Sequence, residues 1–119
     1  RSIGGPGSRE ILCLGASFKE DCPDVRNSKV FDLCDELETY GFSVTLVDPI
    51  VAEVTAMGES GRVIADSVPE IEFGAVLLAV PHKCFVDSGP NALRAYGSSQ
   101  SLFIDLKDAF PTHHADFKL

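Results

Sequence analysis

The chain has 119 residues, 45% of them hydrophobic, with 10 Lys and Arg against 18 Asp and Glu and a formal charge of −8. That length closes one core without room for a second domain, and the mix of apolar and charged residues excludes a disordered chain. No apolar run approaches the roughly 20 residues of a membrane helix, Arg1–Arg9 lack the apolar centre of a signal peptide, and the acidic balance argues against a phosphate-backbone binder, so a cytoplasmic protein without membrane or nucleic-acid partners is expected.

Residues 1–9 open as RSIGGPGS and are set apart as an expression remnant, flexible leader or linker, leaving 10–119 as the folded unit. Ile11-Leu12-Cys13-Leu14, closed by Gly15, is a short continuous apolar run, the signature of a strand buried on both faces. A loop over Ala16–Arg26 leads to Asn27 or Ser28 as helix cap. A helix over about Ser28–Tyr40 follows, with Val30, Leu33, Cys34 and Leu37 on one face and Gly41 as its stop.

Ser43–Val47 is rich in β-branched residues and ends at Asp48-Pro49, which stops a second strand. Val51–Met57 reads as a short helix, Arg62–Ala65 as a weak third strand and Val68–Ile71 as a helical turn. Ala75–Val80 is the most strand-like segment, ended by Pro81; a helical or mixed stretch follows over about Cys84–Tyr96, then a last strand over Ser101–Leu106. Strands alternating with helices predict an α/β, Rossmann-like three-layer αβα domain with a parallel sheet of about five strands.

Ligands of such a sheet gather beyond the carboxyl ends of its strands, which brings Gly15–Lys19, Asp48-Pro49, Pro81-His82 and Asp105–Lys107 to one edge. The first turn lacks the G-x-G-x-x-G of a dinucleotide site, since Ser17 and Glu20 stand where the second and third glycines belong, and Gly15 to Asp48 is longer than the usual spacing of about 20 residues. Lys19, near the amino end of the first helix, instead suggests an anion, and a phosphate-bearing ligand without a second nucleotide is the natural fit. Taken by composition alone, the loop around Asp24 and Arg26 reads as a solvated loop in which those two pair. The four cysteines have no metal or dithiol spacing, which fits a reducing compartment. Cys22 reads as an incidental loop cysteine, although Lys19 would favour its thiolate, and His113-His114 as part of a solvated tail.

The run L-G-A-S-F-K-E-D-C-P-D-V-R-N-S-K-V from Leu14, followed by D-L-x-x-E-L-x-x-Y-G and V-D-P, resembles the carboxyl-terminal domain of the UDP-glucose/GDP-mannose dehydrogenase family. Its P-D-x-R-N form is most similar to the UDP-N-acetylhexosamine 6-dehydrogenases. The likeness runs from about Glu10 to Lys107, through A-V-P-H-x-x-F at Ala79–Phe85 and F-I-D-L-K-D at Phe103–Asp108.

The resemblance implies a three-part enzyme that oxidises the C6 alcohol of a UDP-sugar to a carboxylate for polysaccharide precursors. It works in two NAD-dependent steps through a cysteine-bound thiohemiacetal and thioester. The NAD-binding amino-terminal domain and the segment with the catalytic cysteine have no counterpart here, so this chain alone is expected to be inactive, to bind no cofactor and to carry no catalytic residue or metal. Its implied role is to close over the nucleotide half of the substrate, with Phe18 and Lys19 lining the UDP site. Lys107 falls where some members carry an arginine that contacts the nucleotide; lysine keeps the charge but loses the planar donor set, and it could equally pair with Asp105 or Asp108. Asp24 and Arg26 match the motif as residues that hold the loop's shape. His82 matches as a candidate for lining the site or as a structural histidine. Glu20 and Asp21 add negative charge that Lys19 must offset, and the net charge of −8 gives no steering of an anionic nucleotide, so modest affinity is expected.

Two other roles compete. A receiver-like phospho-signalling module shares the sheet and needs an acceptor aspartate after strand three, for which Asp66 is the candidate. An assembly domain without ligand is the other. The parent enzyme is expected to be a homo-oligomer and the fragment a monomer.

Overall fold

The computed structural model describes residues 9–17, 29–52, 64–106 and 117–118. Its elements in chain order are β1 (Glu10–Leu14), α1 (Val30–Thr39), β2 (Ser43–Val47), α2 (Pro49–Ala52), β3 (Phe73–Leu78), α3 (Lys83–Ser88), α4 (Pro90–Arg94), β4 (Gly97–Asp105) and β5 (Phe117–Lys118). The strands form one parallel sheet in the order β2-β1-β3-β4-β5.

Four of these strands are substantial; β5 adds a two-residue pairing, Ile104 with Phe117 and Asp105 with Lys118. The expected count of five therefore needs correction: of its third member, Arg62–Ala65, the described part holds an isolated bridge of Ala65 to Val47, and residues 62 and 63 lie outside the described set. Ala65 donates to the Leu46 carbonyl at 2.9 Å and accepts from Asp48 at 2.9 Å, which satisfies two backbone groups at the edge of β2. Val68–Ile71 is not a helical turn either; the Ile71 amide donates to the Pro69 carbonyl, two residues back, at 3.0 Å.

Side chains alternate across β1 to β4 as the pleat requires. Leu12, Leu14, Val47, Val76, Leu78 and Phe103 meet Phe85 of α3 and Leu93 of α4 on one face. Cys13, Leu46, Ala79 and Val80 meet Val30, Phe31 and Cys34 of α1 on the other. Ile11, Ala75 and Leu77 continue that second face toward Leu33 and Leu37. Near its start β4 departs from regular pairing: Phe73 faces Gly97 but Ala75 faces Leu102, so the extra β4 residues bulge out and the strand is longer than Ser101–Leu106 suggested.

The first helix starts later than its caps implied. Lys29 is the residue at its amino end and makes no side-chain cap bond, whereas Asn27 and Ser28 lie outside the described residues. At the other end Gly41, at φ +92°, donates to the Glu38 carbonyl and Phe42 to that of Leu37, which is the two-bond closure that glycine permits after a helix. α2 overlaps only the first residues of the helix expected over Val51–Met57, the rest of which is outside the described set. The stretch Cys84–Tyr96 splits into α3 and α4 at Gly89-Pro90, where proline occupies the first position of the second helix.

On α3 the exposed pair Lys83–Asp87, 2.6 Å apart with side chains 76% and 61% exposed, has its cation at the amino end and its anion toward the carboxyl end, against the helix dipole. Replacing Asp87 by alanine is accordingly expected to change unfolding free energy by less than about 0.5 kcal/mol in a urea melt.

Candidate functional site

The strand order turns about β1: β2, next in the chain, lies on one side of it and β3, reached from β2, on the other. In a sheet of this order the crevice beyond the carboxyl ends of β1 and β3 is where ligands bind. Those ends carry Gly15-Ala16-Ser17 and Val80-Pro81-His82, and the end of β2 beside them carries Asp48. The four turns predicted to share an edge thus do so through their described residues.

Gly15 sits at φ +101° and lies so close to β3 that a Cβ there would come within 2.6 Å of Val80 Cβ and 2.8 Å of Val80 N. Its amide donates to the Val47 carbonyl at 2.8 Å, while the Leu14 carbonyl accepts from Ala79 at 2.9 Å and Val80 at 3.2 Å. The turn after β1 is therefore tied to both neighbouring strands by backbone alone.

Asp48 completes the tie with its side chain. Its Oδ2 accepts from the Ala16 amide at 2.7 Å and lies 2.8 Å from His82 Nε2, and its Oδ1 accepts from the Ile50 amide at 3.0 Å. A carboxylate only accepts, so the Nε2–H tautomer of His82 is assigned as the donor. Ser17 Oγ lies 3.4 Å from the same nitrogen. Asp48 and His82 are 0% exposed and Ser17 is 1% exposed. Serine, histidine and aspartate in contact invite comparison with a hydrolytic triad, but there the two partners engage opposite ring nitrogens. Here both face Nε2, whose proton points at Asp48, so His82 does not activate Ser17. The trio is a clamp across three strand ends.

His82 is also the residue at the amino end of α3, where its carbonyl accepts from Phe85 at 2.9 Å and Val86 at 3.0 Å, and its ring lies 5.7 Å from that of Phe85. It sits behind the turn, not on an open surface. Asp105, at the end of β4, is likewise 0% exposed. Phe18, Lys19, Cys22, Asp24, Arg26 and Lys107 lie outside the described residues. Cys13 and Cys34 are buried in the α1 face and Cys84 is exposed on α3. Among the described residues no cluster of His, Cys, Asp or Glu could hold a metal ion, and no helix is long and apolar enough to cross a membrane. A separate hollow of about 250 Å³ on the α3–α4 face is lined by Pro49, Asp66, Val68, Cys84, Phe85 and Tyr96 among others, and includes neither Ser17 nor His82.

The UDP binding domain model of the UDP-glucose/GDP-mannose dehydrogenase family matches residues 12–112. The chain belongs to that family. Two curated relatives are similar to it: a UDP-N-acetyl-D-glucosamine 6-dehydrogenase of Salmonella typhi is 33% identical over 109 residues, 92% of this chain and 26% of that protein. The protein of the same name from Pseudomonas aeruginosa is 34% identical over 119 residues, 100% of this chain and 28% of the relative. The chain therefore spans about a quarter of the length of these relatives. A crystal structure of a ternary complex of GDP-mannose dehydrogenase from Pseudomonas aeruginosa superimposes with a TM-score of 0.70 at 21% identity, covering 92% of this chain and 28% of that one, which supports the fold.

Membership of the dehydrogenase family leaves the receiver-like reading without support, and its candidate acceptor Asp66 follows a single bridge residue, not a strand. The clamp itself was not foreseen. Asp48 and His82 were placed on the ligand edge by the sequence pattern, and the signal that could have paired them is that both follow the ends of strands flanking β1.

Proposed function

We infer that residues 10–119 form the UDP-binding cap of an NAD-dependent UDP-sugar 6-dehydrogenase, the carboxyl-terminal part of a longer enzyme that oxidises a sugar C6 alcohol to a carboxylate for polysaccharide precursors. The observation that carries the reading is the family match over residues 12–112. The identity of 33% and 34% to two proteins named UDP-N-acetyl-D-glucosamine 6-dehydrogenase favours a UDP-N-acetylhexosamine as substrate.

In this reading Phe18 and Lys19 contact the nucleotide, Lys19 as a point charge on the diphosphate and Phe18 as an apolar wall, with Lys107 adding a second cation from the end of β4. Asp24 and Arg26 hold the loop between them and α1. The amino-terminal part of the parent enzyme would hold NAD, which would supply the hydride acceptor. This chain's own residues bind and orient the nucleotide and do no chemistry. The parent enzyme works in the cytoplasm as a homo-oligomer, and the isolated cap is a monomer.

A thermal-shift titration of the chain with UDP, GDP and NAD tests the reading. Ligand at about a hundred times its dissociation constant adds roughly 2.7 kcal/mol, on the order of ten degrees for a domain of this size. A shift with UDP that Lys19→Ala abolishes is the expected result. A shift with NAD alone, or none with UDP at millimolar concentration, would overturn it.

A further inference from the structure

We propose that the buried Asp48–His82 pair positions the nucleotide-binding turn: it sets the affinity for a uridine diphosphate group without either side chain touching that group. The proposal rests on the UDP-cap reading and adds to it two residues that act through the backbone.

Asp48 Oδ2 is shared between His82 Nε2 and the Ala16 amide. Ala16 is followed by Ser17 and then by Phe18 and Lys19, so the carboxylate holds the last backbone group but one before the contact residues. Three segments far apart in sequence meet there, with separations of 32 residues for Ala16 and Asp48, 34 for Asp48 and His82, and 65 for Ser17 and His82. Burial at 0% keeps both side chains from any ligand.

A polar clamp is an expensive way to fill space between apolar strand ends, since buried polar groups stabilise only when fully bonded. What it supplies that packing lacks is direction. An acceptor aimed at one amide fixes the orientation of that peptide plane, whereas an apolar side chain only limits its volume. Backbone strain at Gly15 sets the turn's path on one side, and the clamp sets it one residue later. A turn held at both points fixes the backbone of Ala16 and Ser17 that leads to the contact residues, and that part of the ordering cost is met on folding and not on binding.

The test separates positioning from general stability. His82→Phe keeps a ring against Phe85 but has no donor, and His82→Gln can place an amide N–H near the Nε2 position. Leu93→Ala, in α4 and away from the turn, serves as a variant destabilised without touching the clamp. Dissociation constants for UDP are measured by calorimetry on each 119-residue chain at a temperature where its melt shows it folded, together with the amide proton shift of Ala16 by NMR.

The expected result is that His82→Phe weakens UDP binding at least tenfold and moves the Ala16 amide resonance, while His82→Gln stays within about threefold of the unaltered chain and Leu93→Ala binds normally. Where His82→Phe does not fold, Asp48→Ala, which removes the acceptor from both the Ala16 amide and His82, takes its place with the same tenfold expectation. Normal affinity in a folded His82→Phe or Asp48→Ala chain, or equal weakening by Leu93→Ala, overturns the positioning role alone. If the unaltered chain binds no UDP at all, the cap reading fails and the proposal falls with it.

Discussion

Replacing Gly15 by alanine is expected to lower the unfolding free energy by roughly 2–5 kcal/mol, from about 1–2 for a side chain at positive φ and about 1–3 for overpacking. The residue sits at φ +101°, and the added Cβ would lie 2.6 Å from Val80 Cβ, 2.8 Å from Val80 N and 2.9 Å from Val80 O. A flexible side chain could turn away, but two of those three atoms are backbone. That backbone is itself tied down, because the amides of Ala79 and Val80 both donate to the Leu14 carbonyl. The clash therefore cannot be relieved without loosening β1 from β3 at the ligand edge. Against a total stability of about 5–15 kcal/mol for a typical domain the loss is large. Urea denaturation monitored by circular dichroism measures it directly. A loss below about 1 kcal/mol would mean that the end of β3 yields more readily than its hydrogen bonds suggest. Because the turn precedes Phe18 and Lys19, the same variant is expected to bind UDP less tightly even where it remains folded.

The parts of this fold that were readable in the sequence are those fixed by burial. Parallel strands covered on both faces must be apolar at successive positions, and Ile11–Leu14 and Ala75–Leu78 show just that, with every described side chain in those runs buried. The helix face of Val30, Leu33, Cys34 and Leu37 was readable for the same reason, and Gly41 because a helix closing through φ +92° favours glycine.

What escaped the sequence depends on partners that local pattern does not specify. Of Arg62–Ala65, which has the residues of a strand, the described part pairs with the edge of β2 through Ala65 as a bridge. Phe117-Lys118 pairs with β4 although nothing in its composition predicts a strand. The early part of β4, with Gly97 opposite Phe73, lies where a polar stretch reads as loop. At the site the same division holds. Sheet topology placed Asp48 and His82 on the correct edge, but their contact depends on side-chain direction over 34 residues of separation. A strand-end aspartate followed by proline reads locally as a stop signal, and that local role hid its longer reach.

Truncating Asp48 to alanine is expected to cost about 2–6 kcal/mol, from about 1–3 for each of the two buried donors left without an acceptor. Among the described residues, the Ala16 amide, the Ile50 amide and His82 Nε2–H lose their acceptor at once. The contact at Ile50 is only part-buried, so water can replace the carboxylate there, whereas those at Ala16 and His82 are buried. Most of the loss should therefore come from Oδ2 and little from Oδ1. Asp48→Asn separates the two. With its amide oxygen at the Oδ2 position it still accepts from Ala16 and His82 and opposes only the Ile50 amide, so its cost is expected to be about 1–3 kcal/mol, that of one unsatisfied donor. Paired urea melts of the two variants with unchanged slopes give the comparison. If asparagine costs as much as alanine, the negative charge matters beyond the number of acceptors, and the carboxylate's attraction for His82 is the larger part of the clamp. If alanine costs less than about 1 kcal/mol, water enters the crevice and replaces the carboxylate, which would require the strand ends to open at the edge where the nucleotide is expected to bind.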